Sequence, residues 1–212
     1  MKQSSKTRAW HYRHVHDFYV REAQAQGYRS RAAFKLMEID DRDRLFRPGM
    51  AVVDLGAAPG GWCQVAVERM KGQGRVIGLD LLEIAPIAGV HFIQGDFTED
   101  AALRQLEAAL AERPVDLVIC DMAPNITGIA AADQAKSYYL AELALDFAAT
   151  WLQPHGIFLV KVFQGEGFEA FMKAMRGRFK TVAARKPKAS RERSPEVYLL
   201  GRELIEAGRH LD

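Results

Sequence analysis

Four carboxylates and one lysine stand where an apolar surrounding would normally reject charge. Asp80, Asp96 and Asp121 each close an apolar run: Arg75-Val76-Ile77-Gly78-Leu79-Asp80, His91-Phe92-Ile93-Gln94-Gly95-Asp96 and Val115-Asp116-Leu117-Val118-Ile119-Cys120-Asp121. Asp54 opens the turn Asp54-Leu55-Gly56-Ala57-Ala58-Pro59-Gly60-Gly61-Trp62. Lys161 sits inside Phe158-Leu159-Val160-Lys161-Val162-Phe163, and lysine is almost never fully buried without a partner. Carboxylates that end strands gather at the carboxyl edge of an open α/β sheet, where such sheets bind ligands. Asp80 follows Gly56 by 24 residues, near the spacing at which a carboxylate meets ribose hydroxyls. Asp96-Phe97 offers a carboxylate to an adenine amino group and an apolar contact to its ring. Lys161 either snorkels out of the sheet end or is held by Asp121 on a neighbouring strand, where its basicity is open to tuning.

The glycine-rich turn narrows the ligand. Its spacing departs from the dinucleotide pattern G-x-G-x-x-G: Ala58 stands where the second glycine belongs, and Pro59 sits in the turn. Asp54 would repel a pyrophosphate, so a cationic or zwitterionic ligand suits the loop better. S-adenosylmethionine, with its sulfonium and amino acid moiety, fits. A nicotinamide-dependent dehydrogenase is the rival that this spacing disfavours.

These residues need a frame, and the pattern supplies one. The expected strands are Ala51–Leu55, Arg75–Asp80, His91–Asp96, Val115–Asp121, Gly156–Phe163, Phe179–Ala184 and Glu196–Gly201. Helices are expected over Gln64–Met70, 99–112, 133–152 and Phe168–Arg176, with two more before the first strand. Ser30 is expected to cap the second of these, Arg31–Asp41. Strands alternating with helices predict an α/β fold, a mostly parallel sheet with helices on both faces. The last two strands, joined only by a loop, should pair antiparallel.

The chain has 212 residues, 49% hydrophobic and 26% charged, enough for a buried core. No apolar run reaches the roughly 18 residues of a membrane span, and the start lacks the apolar core of a signal peptide. Cys63 and Cys120 form no CxxC pair; a reducing cytoplasm is expected. His11, His14 and His16 lack Cys or carboxylate companions at ligand spacing, so no metal is expected. Net charge is +2, but eight Lys/Arg fall in residues 1–35 and nine in 173–193, around a body with twenty acids and ten bases. Two basic stretches brought together would form a footprint for a polyanion. Arg8, Arg13, Arg29 and Arg31 would form one side of it. Arg176, Arg178, Lys180, Arg185, Lys186, Lys188, Arg191 and Arg193 would form the other. Trp10, Tyr12 and Tyr28 are available to stack on bases.

The turn Asp54–Trp62, the run Asp121-Met122-Ala123-Pro124-Asn125-Ile126-Thr127-Gly128, Lys161-Val162-Phe163-Gln164-Gly165-Glu166-Gly167 and Ser190-Arg191-Glu192-Arg193-Ser194-Pro195-Glu196-Val197-Tyr198 together resemble the FtsJ/RlmE family. The likeness runs from about Tyr28 to Gly201. It implies a Rossmann-like class I S-adenosylmethionine-dependent methyltransferase, a seven-stranded sheet with an antiparallel last strand. The implied reaction is methylation of a ribose 2′-hydroxyl, of a uridine, in bacterial large-subunit (23S) ribosomal RNA. The catalytic tetrad it implies is Lys35, Asp121, Lys161 and Glu196. Its cofactor contacts map onto Gly60, Trp62, Asp80, Asp96 and Asp121. Cys63, where the family commonly has serine, is a small departure. Residues 1–27 are then a basic extension, 28–212 a single methyltransferase domain, and the chain a cytoplasmic monomer acting on ribosomal RNA within the large subunit. A non-catalytic RNA-binding module and a methyltransferase of another RNA are the rivals, and the intact tetrad speaks against the first.

Overall fold

The computed structural model describes residues 17–124, 127–191 and 193–205. The His11, His14 and His16 group, Arg8, Arg13, Trp10 and Tyr12 lie outside the described residues. Two helices lead: α1 (Phe18–Ala25) and α2 (Ala32–Asp43). Then follow β1 (Ala51–Leu55), α3 (Gly61–Arg69), β2 (Arg75–Asp80), β3 (Val90–Gln94), α4 (Asp100–Leu110), β4 (Val115–Cys120) and α5 (Ala130–Trp151). The chain closes with β5 (Leu152–Phe163), α6 (Phe168–Arg178), β6 (Phe179–Arg185) and β7 (Glu196–Leu204).

The seven strands form one sheet in the order β3-β2-β1-β4-β5-β7-β6. Neighbours from β3 to β5 pair parallel, and β7 runs antiparallel to both β5 and β6. The expected antiparallel pair is therefore present. Its last strand, however, turns back between β5 and β6 instead of extending the edge.

Strand alternation divides the core in two. Val53, Val118, Phe158, Val160, Val162, Val197 and Leu199 pack with α4, α5 and α6. Val52, Leu117, Ile119, Ile157, Leu159, Tyr198 and Leu200 pack with α2 and α3. A period of two residues thereby assigns Asp54, Lys161, Glu196 and Tyr198 to the α2–α3 face.

Helix α2 ends by local chemistry. Arg44 adopts a left-handed conformation (φ 51°) and donates its N–H to the Asp40 carbonyl at 2.7 Å. Asp40 Oδ1 accepts the Leu45 and Phe46 N–H groups at 2.7 and 3.2 Å, giving two main-chain donors just beyond the helix their partner. The start of α2 differs from expectation. Its N-cap is Arg31, with no side-chain cap. Ser30 instead packs against the start of α3, so closely that a Cβ on Gly61 would lie 2.7 Å from its Oγ.

Candidate active site

Parallel pairing of β4 with β5 aligns Cys120 with Val160, so Asp121 and Lys161 follow side by side. Lys161 Nζ donates to the Asp121 carbonyl at 2.7 Å and lies 3.1 Å from Asp121 Oδ1. Lys161 is only 8% exposed, so it does not snorkel out; it is buried with a partner. Two of its three ammonium donors are thus spoken for, which leaves one.

Antiparallel pairing of β5 with β7 sets Lys161 opposite Tyr198 and Phe163 opposite Glu196. Tyr198 is fully buried and donates its hydroxyl to Asp121 Oδ1 at 2.9 Å. Burial, then the charges of Asp121 and Glu196, hold its phenol well above the usual value, so it serves as a donor and not as a base. Its ring packs 5.7 Å from Trp62 and lies 5.9 Å below the Lys35 ammonium. Lys35, on the first turn of α2, stands 2.6 Å from Glu196 Oε1. Burial pushes the Glu196 carboxyl up, but Lys35, Ser190 and Lys161 outweigh it and leave it below its ordinary value. Glu196 is therefore an anion at neutral pH. The structure thus gathers all four residues of the expected tetrad into two ion pairs joined through Tyr198. Tyr198 was not singled out by sequence reasoning. Its signal was a tyrosine inside the apolar run Val197–Leu200, a polar group that burial obliges to find a partner.

A cavity of about 340 Å³ opens beside Asp121 at the carboxyl edge of the sheet. Asp80, Asp96, Asp121, Phe97, Leu81, Leu82 and Met122 are among its lining residues. Asp80 accepts the N–H of Ala58 (2.9 Å) on one oxygen and of Leu82 (2.8 Å) on the other. It thereby fixes the turn after β1 to the turn after β2. Asp96 takes the Thr98 N–H and hydroxyl, both on Oδ1. The glycine turn presses onto the cavity wall: at Gly56 (φ 82°) a Cβ would lie 2.6 Å from Met122 Cγ. Three carboxylates with apolar walls fit a cation that carries hydroxyls and an aromatic ring. The exposed Leu81 and Leu82 on the rim were not read from sequence; nothing in a short loop marks them.

Two expectations need correction, on Asp54 and on the cationic footprint. Asp54 does not face the ligand. It is fully buried beneath α3, where it accepts the Cys63 thiol at 3.2 Å. Burial raises its pKa to about 7; the Cys63 hydrogen bond opposes that shift, and the nearby Asp121 and Asp80 add to it. Strand alternation, which turns residue 54 to the helix face, is the reason. Gly60 and Trp62, at the start of α3, are not among the residues that line this cavity. Trp62 is turned under α2, its indole N–H donating to the Ala32 carbonyl at 2.8 Å. Finally, much of the expected cationic footprint is used internally. Arg29 donates to the Pro59, Ala85 and Pro86 carbonyls. Arg178, Lys180 and Arg185 pair with Asp146, Glu203 and Asp43. Arg31, Arg191 and Arg193 do line a second cavity, of about 390 Å³, with Lys35, Ser194 and Glu196.

The chain is similar to known proteins. The family model of the FtsJ-like methyltransferases matches residues 28–204. A ribosomal RNA large subunit methyltransferase E of Azoarcus sp. (strain BH72) is 62% identical over 204 residues, 96% of this chain and 100% of that protein. A solved structure described as a ribosomal RNA methyltransferase of Plasmodium falciparum is 31% identical with a TM-score of 0.75, covering 84% of this chain and 99% of the other. A Streptococcus mutans methyltransferase solved with S-adenosylhomocysteine (SAH) shares the fold alone: TM-score 0.50 and 14% identity, covering 80% of this chain and 95% of that one. With the family model spanning more than half of its length, the chain belongs to the FtsJ-like methyltransferase family.

Proposed function

We propose that this chain transfers a methyl group from S-adenosylmethionine to a ribose 2′-hydroxyl of large-subunit ribosomal RNA. The observation that carries this reading is the joining of Lys161–Asp121 and Lys35–Glu196 through Tyr198, at the rim of an acid-lined cavity. A methyl sulfonium supplies an already activated carbon, so the protein's task is alignment and proton removal. Asp80 takes the ribose hydroxyls of the donor, Asp96 its adenine amino group and Phe97 its ring. Asp121 holds Lys161 and would offer its charge to the sulfonium. Gly60 and Trp62, at the start of α3, contact the donor through main chain. Lys161 stands at the 2′-hydroxyl, whose proton is lost as the oxygen takes the methyl group and the carbon–sulfur bond of the donor breaks to leave a neutral thioether. Lys35 positions that hydroxyl, and Glu196 keeps Lys35 in place.

The RNA reading rests on charge. Asp17, where the N-terminal basic stretch meets α1, is bonded to Arg31, and Arg31 also donates to the Ala189 carbonyl in the second stretch. Among the described residues, Arg31 of the first stretch and Arg191 and Arg193 of the second thus line one cavity with Lys35. We take residues 1–27 as an RNA-binding extension and 28–212 as the methyltransferase domain, a cytoplasmic monomer acting on the assembled subunit. No described helix is long and apolar enough to cross a membrane.

The test is methyl transfer from radiolabelled S-adenosylmethionine to large ribosomal subunits from cells lacking this protein. Label on RNA ribose, absent with Lys161→Ala, is the expected result. No label on subunits or on protein-free RNA, with the donor still bound, would overturn the substrate assignment.

A further inference from the structure

One peptide segment of the loop between β6 and β7 is gripped from both sides by α2 and the residue before it. Glu38, one turn after Lys35, accepts the Lys188 N–H on Oε2 at 2.6 Å and the Ala189 N–H on Oε1 at 3.0 Å. Tyr19 donates its hydroxyl to the same Oε1 at 3.4 Å. Arg31 donates to the Ala189 carbonyl. Ala189 is completely buried, although the loop around it is polar and basic. Two consecutive N–H groups converging on one carboxylate make an anion-binding nest, and here the anion belongs to the protein.

The grip has consequences on both sides. Ser190, the next residue, is buried as well. Arg191 and Arg193, directly beyond it, line the cavity that holds Lys35 and Glu196. The loop is braced from within as well: Ser194 N–H donates to the Arg191 carbonyl at 2.9 Å, and Lys186 donates to the Ser194 carbonyl at 2.6 Å. Internal bonds give the loop a shape, and the contacts with Glu38 and Arg31 decide where that shape sits relative to Lys35.

We propose that Glu38 is a positioning residue for the RNA half of the reaction: it fixes the loop between β6 and β7 to α2, so that Arg191 and Arg193 face the target nucleotide beside Lys35 and Glu196. Glu38 touches neither the donor cavity nor the Lys161–Asp121 pair. Its removal therefore acts on RNA engagement and on the Lys35–Glu196 side, and leaves the donor side intact. This inference rests on the proposed RNA substrate.

The test compares wild type, Glu38→Gln and Glu38→Ala. Gln keeps one acceptor oxygen and Ala keeps neither, so their effects should be graded. The Ala variant should lower kcat/KM for large ribosomal subunits by about 10- to 100-fold, the scale of a small misplacement. Its dissociation constant for S-adenosylmethionine should stay within about twofold of wild type. The dependence of log binding constant on log salt should lose about one unit of slope for each arginine displaced. Amide exchange at Lys188 and Ala189 should accelerate in Glu38→Gln, a readout that stands even if the Ala variant folds poorly. Wild-type kcat/KM and salt slope in the variants would overturn the proposal. So would a loss of donor affinity parallel to the loss of activity, which would mark a general structural role. Failure of wild type to label RNA would instead count against the proposed function, since the exchange readout is independent of it.

Discussion

The donor cavity and the tetrad sit at the same sheet edge, yet they are built in opposite ways. On the donor side the acids bond close to home: Asp96 to Thr98, and Asp80 to Leu82, with one reach to Ala58 across the adjoining turn. On the tetrad side every contact is distant in sequence. Lys35 meets Glu196, Lys161 meets Asp121 and Tyr198 meets Asp121. The first arrangement follows from strand ends and tight turns alone. The second exists only when β7 has inserted beside β5 and α2 has packed over both. Binding of the donor should therefore be separable from catalysis by mutation.

The sharpest break between the halves is Lys161→Ala. Methyl transfer should fall by about 10²- to 10⁴-fold, the range for a side chain positioned at a proton in transfer, while donor affinity measured by calorimetry is retained. Loss of donor binding by that variant would merge the two halves and remove Lys161 from the catalytic role. Asp80→Ala should do the reverse. Two N–H groups lose their acceptor, and the donor should bind about 10-fold or more weakly, as for a hydrogen bond to a charged group. Turnover at saturating donor should change little; an unchanged dissociation constant would refute the ribose assignment.

Tyr198→Phe probes the joint. It deletes one hydroxyl while keeping the ring against Trp62 and Lys35. A net loss of about 1 kcal/mol, a few-fold in turnover, is expected with no change in donor affinity. Activity equal to wild type would mean that Asp121 needs no help to hold Lys161.

The last prediction concerns stability, through the acid beneath both regions. Asp54 keeps its proton to about pH 7, far above its usual carboxylate range. Between about pH 4 and 7 the folded protein thus holds a proton that the unfolded chain has released. Stability from this group is greatest at low pH and declines as pH rises through that window. Asp54→Asn removes the penalty. Its stability relative to wild type should grow between pH 4.5 and 7.5 by on the order of 1–3 kcal/mol, read as urea midpoints at the two pH values. A constant difference between the two proteins would show that Asp54 is ionised at both.

Much of this was legible in the residues themselves. Apolar runs ending in Asp80, Asp96 and Asp121 gave away the strand ends, because the physical rule is local: a strand that leaves the core meets water or ligand at its last residue. Lys161 was legible for the converse reason, a charge that burial cannot tolerate alone. The gap in G-x-G-x-x-G steered away from a dinucleotide, although Asp54, read as part of that steering, turned out to face the core. Its side could have been obtained from alternation along β1, since Val53 and Leu55 pack on the opposite face.

The amino-acid sequence by itself determined the α/β order, the parallel half of the sheet and the acids at its carboxyl edge, since each depends on periods of two and 3.6 residues and on turns a few residues long. Only the tertiary structure decided that β7 lies between β5 and β6, and that Tyr198 joins the two ion pairs. It also decided which cations are committed to carbonyls and acids and which line the Lys35–Glu196 cavity. Those outcomes depend on partners up to 161 residues apart, Lys35 and Glu196 among them. Charge in a sequence says how many such pairs are possible; packing of the two faces selects the ones that form.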